Sequence, residues 1–150
     1  MAKYLEIRFI EQNIAVKARL LEKQMPRTCA GLLRHLPLEG TATHARYSGS
    51  EVAVLISNKI HIGRERATCA VLPGDVAYMW LNRDDHYGLE EDVAEIAWFY
   101  DRDSQPRMWE GPVRANIFAR IEGDTAEFYK ASADTRISGV KKVSFKLLQD

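Results

Sequence analysis

The sequence lacks any apolar run near the length of about 20 residues that a helix needs to cross a bilayer. No membrane partner is expected. It also lacks an excess of either charge, with 21 Lys and Arg against 21 Asp and Glu for a formal net charge of +0. General nucleic-acid binders draw most of their affinity from phosphate neutralisation, so this balance argues against nucleic acid as a partner. Cysteine is scarce: Cys29 and Cys69 are the two in the chain, and both sit inside apolar segments. The start, Met1-Ala2-Lys3-Tyr4, passes straight into a strand pattern without a signal-peptide core. Together these features predict a cytoplasmic protein with reduced, buried thiols.

Catalytic signatures are missing as well. His35, His44, His61 and His86 show no H-E-x-x-H spacing, and neither cysteine belongs to a C-x-x-C pair, so no metal and no cofactor is expected. There is no G-x-S-x-G elbow, and Ser48-Gly49-Ser50 reads as a turn. Asp84, Asp85, Glu90, Glu91 and Asp92 form an acidic group without calcium-loop spacing. A solvated loop would not split their pKa values into acid and base roles.

What is present is the signature of one globular domain over residues 1–150, with 46% hydrophobic and 28% charged residues. Leu5, Ile7 and Phe9 alternate with Glu6 and Arg8, and Ile14, Val16, Ala18 and Leu20 repeat that period, which predicts an opening β-hairpin. Cys29, Leu32, Leu33 and Leu36 then fall on one helical stripe. Pro26 suits its first position and Pro37 its stop, but neither Gln24 nor Met25 is a good N-cap. Strands are predicted over Thr41–Tyr47, Val52–Ile56, Lys59–Ile62, Thr68–Leu72, Val76–Leu81, Ala94–Tyr100 and Ala115–Ile121, with a polar loop over 82–92. Asp124 and Glu127 mark the start of a second helix, and Val143, Phe145 and Leu147 a closing strand. The order predicts a mainly β chain: a closed barrel of roughly eight strands with two helices.

Several segments resemble cyclophilins. Pro26-Arg27-Thr28-Cys29-Ala30-Gly31-Leu32-Leu33-Arg34-His35-Leu36 is similar to their first helix, and Asn116-Ile117-Phe118-Ala119-Arg120-Ile121-Glu122-Gly123 to a late strand. Trp109-Glu110-Gly111 resembles a turn of the same proteins, and Ser138-Gly139-Val140-Lys141-Lys142-Val143 their closing strand. Pro73-Gly74-Asp75-Val76-Ala77-Tyr78 is closer to a small uncharacterised prokaryotic branch of cyclophilin-like proteins than to the proline isomerases. The resemblance implies a cyclophilin-like barrel capped by two helices.

It also implies where a site would be. Rotation about an X–Pro bond faces a barrier of about 18–20 kcal/mol. Cyclophilins lower it with an arginine on the strand after the first helix, beside an aromatic-lined pocket and a Gln-Gly-Gly segment. Arg46 is the nearest counterpart here, but Val52-Ala53-Val54-Leu55-Ile56 replaces the glutamine segment. Efficient isomerisation is therefore not expected, and the enzyme question leans towards no. His44 and Arg46 share a strand face, and Trp80, Phe99 and Trp109 are candidate pocket walls. His86 and Tyr87 lie in a loop that could approach a ligand. The expected function is binding of a small metabolite or short peptide on the barrel. The alternatives are a proline isomerase with a rearranged site and a homo-oligomeric interaction protein.

Overall fold

The computed structural model describes residues 2–148. The chain opens with strands β1 (Tyr4–Phe9) and β2 (Ile14–Leu20), then helix α1 (Pro26–Leu33). Strands β3 (Leu38–His44), β4 (Glu51–Ile56), β5 (Asp75–Leu81) and β6 (Val93–Phe99) follow. A two-residue pair, β7 (Arg107–Met108) and β8 (Gly111–Pro112), precedes β9 (Asn116–Glu122), helix α2 (Ala126–Ser138) and β10 (Lys141–Leu148). Eight strands close into a barrel in the order β1-β10-β3-β4-β6-β5-β9-β2, every pairing antiparallel. The mainly β barrel with two helices is thus the fold the sequence predicted. No helix among the described residues is long and apolar enough to cross a membrane.

Alternation explains the interior. Ile7 and Phe9 pair with Phe145 and Val143 on one side, Leu5 and Ile7 pair with Ala18 and Val16 on the other, and all of them are buried. Helix α2 closes the barrel by inserting Phe128, which packs against Phe9 at 5.1 Å and Trp98 at 5.3 Å between ring centroids. The Trp98 indole N–H donates to Ser132 Oγ at 2.9 Å, so the largest buried ring keeps its polar atom satisfied. Helix α1 packs on β9 through Cys29 and Leu32. Burial pushes the Cys29 thiol up to about 12, and both cysteines are free, although Cys69 is only half-buried.

The poor N-cap of α1 is real: Met25 supplies no side-chain bond. Glu65 supplies it from a distance. Its carboxylate accepts from the Arg27 amide at 3.1 Å, the Thr28 amide at 2.8 Å and the Thr28 hydroxyl at 2.7 Å. Burial pushes the Glu65 carboxyl up, but the bonds from Thr28 and Arg27 outweigh it and leave the group below its ordinary value. The helix also stops earlier than expected, at Leu33, with two tighter turn bonds from His35 to Leu32 and from Leu36 to Leu33.

Two expected strands are absent. Residues 59–62 and 68–72 are irregular, apart from one bridge between Thr68 and Ala115. Side chains there take the backbone groups that a ladder would otherwise use. The Tyr78 hydroxyl donates to Ile60 O at 2.7 Å and accepts from Ile62 N at 3.0 Å. The Asn116 amide donates to Gly63 O at 3.0 Å and accepts from Glu65 N at 3.1 Å. Apolar Ile60 and Ile62 still pack on the barrel, which is why the stretch reads as strand.

Candidate functional site

The outer wall of the barrel is not uniformly wet. On β4 the outward residues are Glu51, Ala53 and Leu55, because Val52 and Val54 point inward. On β6 they are Glu95, Ala97 and Phe99. Ala53 lies opposite Ala97, Leu55 opposite Glu95 and Glu51 opposite Phe99. The small side chain of Ala53 leaves a depression beside Leu55 and Glu95, and Arg107 and Met108 of β7 line its edge. The result is a pocket of about 280 Å³ walled by the end of β3, the turn Ala45–Tyr47, β4, Glu95, Arg107 and Met108.

The covering segment is firmly held. Ser48 is buried; its hydroxyl accepts from Arg107 N at 2.9 Å and donates to Arg107 O at 3.1 Å. Gln105 N donates to Ser48 O at 3.0 Å and Tyr100 N to Ser50 O at 3.0 Å. Gly49, at φ +75°, faces the Asp103 carbonyl so closely that any Cβ would collide with it. The turn and the 100–108 segment therefore form one unit.

Glu51 is 3% exposed, and its Oε2 is buried without a hydrogen-bond partner among the described residues. Burial pushes its carboxyl up to about 8, with the nearby charge of Glu95 acting in the same direction. Burial also pushes Glu95, half-buried on the facing strand, up to about 7. Both groups therefore hold protons well into the neutral range and can give or accept one there. His44 beside them stays neutral. Its Nδ1–H donates to Ala45 O at 2.8 Å, which leaves Nε2 to accept from the Tyr100 hydroxyl at 2.7 Å and Arg136 Nη2 at 3.2 Å. Burial lowers the imidazole pKa, and Arg136 lowers it further.

The structure brings only some of the expected site residues together. His44 and Arg46 both line this pocket, although β3 ends at His44 and Arg46 lies in the turn beyond it. Trp80 is elsewhere, stacked on His61 at 3.8 Å in a polar pocket with Arg64, Asp85 and Arg114. His86, Tyr87 and Trp109 gather at a third place around Glu110. Its carboxylate meets His86 Nδ1 at 2.9 Å and accepts from the Tyr87 amide at 3.0 Å, while Tyr87 packs edge-on against Trp109. Phe99 is fully buried in the apolar layer under the 107–115 segment, with Ala77, Met79 and Val113. Sequence reasoning missed Glu51, Glu95, Arg107 and Met108. The available signal was a single acid within each of two otherwise apolar strands, Glu-Val-Ala-Val-Leu-Ile and Val-Ala-Glu-Ile-Ala-Trp-Phe.

A closed eight-stranded barrel with two helices and a small outer pocket defines the class of protein. The chain belongs to the family described as "Protein of unknown function (DUF3830)", which matches residues 7–147. No curated protein matches the chain. Among solved structures, it is similar to that described as "Structure of McbB in complex with tryptophan", with a TM-score of 0.67 and 17% identity. That match covers 95% of this chain, which spans only 44% of McbB. The hypothetical protein AF2241 from Archaeoglobus fulgidus matches with a TM-score of 0.58 and 19% identity, over 97% of this chain and 94% of that one. At these identities the likeness establishes the fold alone.

Proposed function

We propose that the chain is a cyclophilin-like binding protein that takes a small metabolite, or the end of a short peptide, in the pocket of Glu51 and Glu95. The carrying observation is the buried Oε2 of Glu51, which lacks a hydrogen-bond partner among the described residues and belongs to a side chain on the wall of a cavity. Native interiors seldom leave such an atom orphaned, and a ligand donor would satisfy it. The volume, about 280 Å³, is near the lower end of ligand sites, which begin at roughly 300 Å³. Amino acids belong among the molecules to be screened, since McbB is described with tryptophan.

The isomerase alternative has less support. It asks for a guanidinium over an apolar floor that seats a proline ring, whereas two carboxyl groups face this pocket. The oligomer alternative has exposed Ile137 in the last turn of α2 and exposed Val140 just after it, and sedimentation at several concentrations decides it.

A thermal-shift screen tests the binding proposal. A ligand at a hundred times its Kd adds about 2.7 kcal/mol, or roughly 5–10 °C for a domain of this size. The shift is expected to vanish in Ala53→Leu, which fills the floor of the pocket. A ligand whose shift is unchanged in that variant binds elsewhere and removes this site from consideration.

A further inference from the structure

We infer that this pocket takes an amino-acid-like zwitterion, its ammonium nitrogen between the carboxylates of Glu51 and Glu95 and its own carboxylate against the guanidinium groups of Arg46 and Arg107. The inference rests on the ligand-pocket proposal and names the chemistry of the ligand.

The first support is what the occupant must bring. Glu51 Oε2 is buried and unmet among the described residues, so an occupant that ionises Glu51 must bring a donor to it. Among the described residues, no Lys, Arg or His nitrogen lies within 4.0 Å of the Glu51 or Glu95 carboxylate. Arg107 lines the same pocket, yet its Nη1 donates to Gln105 Oε1 at 3.0 Å. The protein has cations at the rim and leaves its inner acids unpaired.

The second support is the balance of charge. A desolvated carboxylate pair is stable only when a cation compensates it. An ammonium between the two acids, with the neighbouring carboxylate of the same ligand facing the two arginines, brings the complex to neutrality. His44, neutral on the same wall, adds no charge to that balance. A bare metal ion fits less well: no three His, Cys, Asp or Glu side chains among the described residues are grouped to hold one. Ala53, Leu55 and Met108 supply apolar contact for the ligand's body.

The third support is a measurable signature. Burial holds the two empty acids protonated near neutrality, at about 8 and about 7. An arriving ammonium favours their charged forms, so binding should expel protons from both carboxyls.

Calorimetry at pH 7 in two buffers of different ionisation heat tests this with three probes that share one body: phenylalanine, phenethylamine and 3-phenylpropionate. Phenylalanine is expected to bind tightest and to release about one proton per ligand. Phenethylamine should bind about tenfold more weakly with similar release, and 3-phenylpropionate weakest with none. Glu51→Gln should weaken phenylalanine at least tenfold and reduce the proton release. Glu95→Gln gives the same readout if the first variant fails to fold. Equal affinity for phenylpropionate and phenylalanine, or phenylalanine binding without proton release, overturns the zwitterion while leaving the ligand pocket standing. Silence from all three probes also overturns it, and a blank in the wider screen as well removes the pocket proposal with it.

Discussion

The two faces of the barrel wall are buried by different means. Inside, side chains from eight strands meet those of α1 and α2, and the contents are almost wholly apolar. Outside, over β4, β5 and β6, burial comes from the turn after β3 and from the segment carrying β7 and β8. That cover shields Ala77, Met79 and Phe99 completely, but it also shuts in a carboxyl group. A face covered by an irregular segment can therefore enclose polar groups that a side-chain core would reject.

The largest expected effect separates the faces by pH. Glu51 has a folded pKa of about 8, above its ordinary value of 4.5. Below about pH 4.5 both states are protonated and no penalty applies; as pH rises the unfolded chain ionises first, so stability falls until the folded group ionises near pH 8. The loss is on the order of 5 kcal/mol between pH 5 and 9. Glu51→Gln should shrink the fall of melting temperature with pH to the smaller part due to Glu95, and be more stable than the parent at pH 8. A parent curve without that fall would show the outer acid to be as solvated as a surface group.

Next comes the inner face. Trp98→Ala removes the largest buried ring and leaves Ser132 without its donor, at a cost of about 4 kcal/mol independent of pH. Urea titrations at pH 6 and pH 8 should give the same difference from the parent. A smaller effect belongs to the region that joins the faces. Glu65→Ala strips three bonds from the start of α1 and should cost about 3 kcal/mol. Helical circular dichroism and proteolysis within residues 57–74 should report the change together.

The inner face was legible because its alternation is local: Leu5, Ile7 and Phe9, or Val143 and Phe145, announce their side of the strand unaided. The outer face was not. Period-two reasoning places Glu51 and Glu95 outward, where acids are ordinary, and nothing nearby says that Arg107 and Met108 return to cover them. Residues 59–62 misled for the related reason that Tyr78, which takes the backbone bonds of Ile60 and Ile62, comes later in the sequence. Of the site, His44 and Arg46 were readable from the strand after the first helix, while the acids they accompany needed the folded geometry.

Glu65 reaches the first coil of α1 across 37 positions of the chain, so that coil has no finished start until the two segments have already met. Order in the helix and docking of the long connection are then coupled, so that loosening either loosens both.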